Sequence, residues 1–500
     1  MRGMAKVAFS IAAATMLLVL PGAGAMEQRQ PASSADDAAA FRSGSVPARG
    51  RSDGSTHARG VKGPEVVGLR TRTSRTFAAP GGSRVTEVHA EPVNYPAADG
   101  GWAAIDSTLV AGADGSFANR SNSYSVELPP RLGGDAVRVS ESGAWAEFSL
   151  IGADAAGVVH GPQMTYENAV PGVTARYTAL GDSVKEELVL EGRAATPEFS
   201  FALVLPDGFA ARQAGRTIEV VAPEGEVPFG LAAPFAADSA GAHGDVRQEL
   251  RRADGGWIVD VRVDRDWLAE PGREFPVVVD PTVDFSWPPA PDELPALRDC
   301  TIDQAAPSTS VCGASSLWVG TSSGAKRRSV LQFDVADALP ERVEVLNAEL
   351  ELHLLDDHGA ADTDVDAHRL TGPFGDDATW NSRTTGSAWT SAGGDFVAQE
   401  AAPGDDVGYL GDGEDYWWTP VELVQAWVDG DQANEGLLLK TAEQAPDHLL
   451  EFASSEHANA GQRPELEVTW MPRIGQRRQW TFAEQQPRSR RHAVLQRSGR

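Results

Sequence analysis

In LNAELELHLL, residues 346–355, apolar and polar side chains alternate from Leu346 to Leu354. Leu346, Ala348, Leu350, Leu352 and Leu354 fall on one side, and Asn347, Glu349, Glu351 and His353 on the other. Only an extended chain, whose side chains point to opposite faces in turn, converts that order into one apolar and one polar surface. The same period recurs. WIVDVRVD sets Trp257, Val259, Val261 and Val263 against Asp260, Arg262 and Asp264, and EFSFALVL aligns Phe199, Phe201, Leu203 and Leu205. RSVLQFDV aligns Leu331, Phe333 and Val335, and ELEVTW aligns Leu466, Val468 and Trp470. Half-buried strands of this kind belong to antiparallel sheets. The breaks between them (AADGGW, GADGS, LPDG, RADGG) place Gly where a tight turn needs a positive φ. An all-β chain is expected.

The organisation follows from where the pattern stops. MRGMAK, then the apolar run VAFSIAAATMLLVL, then PGAGA have the form of a secretory signal peptide, residues 1–25, cut after Ala25. Its apolar core is too short to span a bilayer comfortably. Residues 26–63 are rich in Ala, Ser, Arg, Gly and Asp and read as a disordered leader. Strands then run from 64 to 283 as an N-terminal β domain ending in EFPVVVDPTV. There Asp280-Pro281 halts the ladder, because Pro cannot donate to it. Residues 284–296, containing WPPAPDELP, form a stiff Pro-rich linker. Residues 297–470 make a second domain, expected as a jelly-roll-like β-sandwich with one short helix. That helix lies in TPVELVQAWVDG, with Thr419 as N-cap, Pro420 at the first helical position, Glu422 completing a capping box and Gly430 ending it. The Arg-rich residues 471–500 lack a strand pattern and read as a disordered tail or the mark of a truncated chain.

A secreted or extracellular protein is therefore expected, possessing no membrane contact after signal cleavage and existing as a monomer. The formal charge of −28 argues against nucleic acid as a partner, since phosphate binding needs clustered Lys and Arg. The two cysteines, Cys300 and Cys312, are expected to close a small disulfide loop in an oxidising exterior.

Motifs of catalysis are weak. Gly320-Thr321-Ser322-Ser323-Gly324 fits the G-x-S-x-G pattern of a nucleophile elbow, but it lies between two strand-like runs and reads as a hairpin loop. Many carboxylates are present, yet no pair is singled out by the apolar setting a glycosidase acid requires. A non-enzymatic role is expected. Sugar rings stack on flat side chains, and Trp389 in TTGSAWTSAGG, with Tyr416 and Trp417 in GEDYWWTP, are the candidate glycan-binding residues. Trp380 and Trp418 are expected in the core. The run DDHGAADTDVDAH places Asp356, Asp357, Asp362, Asp364 and Asp366 close together, an oxygen-only set that suits a structural calcium ion. It lacks the Gly and closing Glu of an EF-hand loop.

These pieces also resemble a known family. RTRTSRTFAAPGGSRVTEVHAEPVNYPAADGGWAAIDSTL, YENAVPGVTARYTALGDSVKEELVL and REFPVVVDPTV resemble the N-terminal region of secreted actinobacterial DNRLRE and RHS-associated proteins. SLWVGTSSGAKRRSVLQFDV, NAELELHL, DDATWN, VELVQAWVDG, NEGLLL and FASSEHANAGQRPELEVTW resemble the DNRLRE domain, a carbohydrate-binding-module-like unit. The resemblance implies attachment of the second domain to cell-wall or environmental polysaccharide. Its alternative is a structural or delivery scaffold, the remnant of an RHS-type toxin-export protein.

Overall fold

The computed structural model describes residues 61–285, 297–359, 363–402, 406–407 and 411–473. The expected signal peptide, most of the expected leader, the expected linker from 286 and the expected tail beyond 473 lie outside the described residues. The chain is all-β and built as two domains, with three short α-helices among the described residues. None of these helices is long and apolar enough to cross a membrane.

Strands from Asp106 to Asp284 pair into one continuous network. Its centre is the strand Ser183–Leu190, every residue of which is buried. Val173–Ala179 flanks one edge, and Val277–Asp280 with Val283–Asp284 flanks the other. The expected apolar faces are inward: Phe199, Phe201, Leu203, Val259, Val261 and Val263 are all in the core. Trp257 is only partly covered, with the Arg252 guanidinium 4.4 Å from its ring.

The second domain is organised by the fifteen-residue strand Val343–Asp357. Its first part pairs with Glu465–Pro472, its middle with Asp415–Trp418 and its end with Leu449–Ala453. It thus passes from one sheet of the sandwich into the other. The second sheet continues through Ser316–Ser322, Ala325–Phe333, Leu437–Lys440, Asp366–Leu370 and Phe396–Ala402. Ala348, Leu350, Leu352 and Leu354 lie in the core with Trp418, Phe452, Leu466 and Val468. Leu346, expected beside them, is 46% exposed. A register shift between Val345 and Asn347 inserts one extra residue, and Val345 is buried in its place.

Three further local expectations meet the structure. The serine motif is a hairpin turn: Ser316–Ser322 pairs with Ala325–Phe333, and Ser323 and Gly324 both take positive φ. The helix Val421–Asp429 begins one residue later than expected, with Pro420 rather than Thr419 as N-cap and no side-chain capping bond, while Gly430 ends it in the left-handed region. A second helix, Val335–Ala338, follows Phe333, so Val335 leaves the strand. Asp334 caps it, accepting from the backbone N–H of Asp337, and four residues are too few to show a helical period.

The N-terminal hairpin takes an unexpected place. Ser74–Ala78 pairs with Arg84–His89, and Arg84–His89 pairs with Glu465–Pro472. Although it lies within 64–283, this hairpin extends the first sheet of the second domain.

Cys300 and Cys312 form the disulfide. For a loop of this size, its removal in a Cys300→Ala/Cys312→Ala variant is expected to cost about 3 kcal/mol. An unchanged urea midpoint in that variant would refute the expectation.

Candidate functional site

Two of the three aromatic candidates are core residues. Trp389 is 5% exposed and packs with Ile302, Val330, Phe374 and Trp380. Its indole N–H donates to the Thr379 carbonyl at 2.8 Å. The polar loop folds back over it, which the loop's composition conceals. Tyr416 is fully buried, because Asp415–Trp418 alternates: Tyr416 and Trp418 point into the core, Asp415 and Trp417 away from it. Trp417 alone of the three is partly exposed, and its indole N–H donates to Glu351 at 2.9 Å.

The aspartates do not converge either. Asp356 stands opposite Glu451, whereas Asp357 bonds His448 at 2.8 Å. Asp364 pairs with Asp406, and Asp366 pairs with Lys440 on a different strand. Asp362 lies outside the described residues. The described aspartates therefore offer no common oxygen cage of the six to eight ligands that calcium takes.

Strand register assembles a different constellation, on the outer face of the first sheet of the second domain. Directly opposed residues of an antiparallel pair share a face. One row across the sheet is Glu87, Glu467 and Glu349, and the next is His89, Glu465, Glu351 and Trp417. His353 and Asp415 form a third. Carboxylates opposed in this way repel, and cations answer them. Lys62 Nζ lies 2.5 Å from Glu87 and 2.6 Å from Glu467. His89 reaches Glu87 through Nε2 at 3.5 Å and Glu465 through Nδ1 at 3.4 Å. His353 Nδ1 bonds Asp415 at 2.7 Å, and its Nε2 meets Gln462 at 2.6 Å. Burial pushes the Glu87 carboxyl up, but His89 and Lys62 outweigh it and hold the group down at about 2. Burial raises Glu465, which has weaker cationic support. This half-buried acidic face with one tryptophan can bind cations or the hydroxyls of a polar ligand. Glu349, Glu351 and His353 were visible as the polar side of LNAELELHLL, but their convergence with the rest depends on the pairing of Arg84–His89, which local pattern does not reveal.

A second polar cluster lies where the two domains meet. Lys185 donates to Asp280 and to the Gly313 carbonyl, and both Lys185 and Asp280 side chains are 2% exposed. Burial works against the Lys185 charge, yet Asp280, Glu187 and Glu456 hold it above its ordinary range. His243 Nδ1 lies 3.3 Å from Asp303, which also accepts from Arg327 Nε at 3.1 Å. Burial raises Asp303, but His243 and Arg327 bring it to about 2. Asp238 accepts from the backbone N–H groups of Ala240 and Ala242 and shapes the turn that lays Gly241 against Trp318. A Cβ at Gly241 would stand 2.7 Å from the Trp318 ring, so no larger residue fits.

The fold and these clusters define an all-β protein whose second domain is a sandwich with a charged outer face. Residues 299–468, about a third of the chain, match the model of the Disaggregatase related repeat domain. Over 164 residues, 31% of this chain, it is 25% identical to the tRNA nuclease WapA of Bacillus subtilis (strain 168). The tRNA3(Ser)-specific nuclease WapA of Bacillus spizizenii (strain DSM 15029) and the tRNA(Glu)-specific nuclease WapA of Bacillus subtilis subsp. natto (strain BEST195) match to the same extent. The match spans 7% of the length of each of these relatives.

Proposed function

We propose that this chain is an exported, non-enzymatic scaffold that carries or displays other protein segments in a delivery system related to toxin-like surface proteins. The observation that carries this reading is the domain junction. Lys185, Asp280, Asp303 and Arg327 are buried charges that, with the buried His243 ring, are completed by groups from both domains. Such a junction favours a fixed spacer over a hinged pair closing on a substrate. The partial similarity to large nucleases supports it further; tRNA cleavage itself is a property of those proteins.

A second reading, attachment to cell-wall or environmental polysaccharide, is favoured by Trp417, an aromatic partly exposed on a polar sheet face beside Glu351. The two separate by experiment. The secreted chain, with its N-terminus mapped to confirm export, is offered to insoluble polysaccharides and to tRNA. The scaffold reading expects neither retention nor cleavage. Retention abolished by Trp417→Ala, with the thermal midpoint unchanged, would replace it with the polysaccharide reading. Cleavage of tRNA that copurifies with the chain would overturn both.

A further inference from the structure

Where Val343–Asp357 crosses between sheets, a second register shift, between Leu354 and Asp356, sets Asp356 directly opposite Glu451. An unshifted ladder would have put Leu355 there. Like charges opposed across a ladder repel, so the bulge creates a conflict that an apolar residue would have avoided. His358 completes a triangle with them. Its Nε2 lies 3.8 Å from Asp356 Oδ2 and 3.9 Å from Glu451 Oε2, and one ligand atom from each of the three lies within 4.8 Å of the others.

These separations are too long for hydrogen bonds. They are slightly wider than the about 3.3–3.6 Å between ligands that follows from tetrahedral bonds of about 2.0–2.2 Å to one ion. The three groups are also held from behind. The His358 ring stacks on Trp318 at 5.3 Å, and its backbone N–H donates to the Leu449 carbonyl at 3.0 Å. Ser316 Oγ donates to Glu451 Oε1 at 2.5 Å, leaving Oε2 as the oxygen facing the imidazole. Such outer partners are what orient the ligands of metal sites. In the other histidine cluster one ligand atom each of Glu87, His89 and Glu465 also lies within 4.8 Å of the others, but His89 turns separate nitrogens to Glu87 and Glu465, and Lys62 is already bound to Glu87.

We propose that Asp356, His358 and Glu451 form a binding site for a divalent first-row transition ion, with zinc the best fit. One imidazole nitrogen and two carboxylate oxygens, with positions left open, suit zinc and not calcium, which takes six to eight oxygens. The ion removes the Asp356–Glu451 repulsion and ties the two strands at the crossing. Asp356 is 52% exposed, which gives the ion a route to solvent.

The test is calorimetric titration of the full chain with zinc chloride, and in parallel with calcium chloride. The expected result is one zinc ion per chain, bound at least about tenfold more tightly than calcium. Asp356→Asn, an exposed and isosteric change, and His358→Ala are each expected to weaken zinc at least about tenfold. Glu249→Gln, an exposed change on a strand of the first domain, is expected to leave it unchanged. If His358→Ala fails to fold for loss of the Trp318 stack, Asp356→Asn decides alone. Absence of zinc binding, undiminished binding in Asp356→Asn, loss in Glu249→Gln, or tighter calcium than zinc each overturns the proposal.

Discussion

Replacement of Lys185 by methionine is expected to destabilise the protein by about 3–5 kcal/mol, because it leaves a charge buried without its partner. The side chain is 2% exposed and donates to Asp280 and to the Gly313 carbonyl across the domain junction. Methionine fills the same volume, so the loss reports charge and hydrogen bonding and not a cavity. What remains is Asp280, still held by Thr282 Oγ1 at 2.5 Å but facing no ammonium. Asp280→Asn in the same chain removes that residual charge. The double variant is therefore expected to be more stable than the sum of the single losses allows, by about 0.5–3 kcal/mol of coupling. Urea denaturation of the four proteins measures both quantities. A loss under about 1 kcal/mol in Lys185→Met, or strict additivity, would show that the junction does not depend on this pair.

From pH 4.5 to 8 the protein is expected to lose stability steadily. Burial pushes Glu186 up to about 8; its bond from Tyr177 opposes the rise and Asp280 adds to it. An unfolded glutamate titrates near 4.5, so between these values the native state holds a proton that the unfolded chain has released. The contribution is whole below about 4.5 and gone above about 8. Burial raises Asp299 to about 6, and that group acts with the same sign over a lower window. Glu87 and Asp303, both held at about 2, act oppositely: their contribution is whole above about 4.5 and disappears as the pH falls towards 2. Stability should thus peak in mildly acidic solution. A tenfold difference in proton affinity between folded and unfolded chain is worth about 1.4 kcal/mol, so Glu186 contributes on the order of several kcal/mol to the alkaline decline. Urea midpoints taken in steps from pH 4.5 to 8.5 should fall for the wild type and fall less steeply for Glu186→Gln, which keeps a partner for Tyr177; the remaining slope comes from Glu456, which burial also pushes up to about 8. Parallel curves for the two proteins would remove Glu186 as the cause.

The strand Ser183–Leu190 shows why these two effects were hidden in the sequence. SVKEELVL reads as three charges beside an apolar end, yet all eight residues are buried. Alternation reports burial only where one face meets water. This strand is covered on both faces, and the partners of Lys185 come from distant parts of the sequence. Elsewhere the period was a sound guide: Leu350, Leu352, Val259 and Val261 lie where alternation puts them. It failed at Leu346, where a single inserted residue reversed the faces. The candidate site was legible in its parts and not in its assembly. Glu349, Glu351 and His353 stood out as a polar row, but Glu87 and His89 reach them only through pairing across most of the sequence. Trp389 misled because a polar loop closed over it, with one indole bond to the Thr379 carbonyl.

That long-range pairing bears on how the molecule is made. Trp470 Nε1 donates to Thr86 Oγ1 across 384 positions, sealing the joint between Arg84–His89 and Glu465–Pro472. During synthesis the hairpin emerges early with one edge bare, and its partner strand is translated only much later. A bare edge invites pairing with other chains, and distant pairing is slow to find. The sheet closes like a clasp when the distant strand arrives, and any product cut short before Glu465 keeps an open edge. The fold thereby distinguishes chains that have passed this point from interrupted ones before either meets a partner.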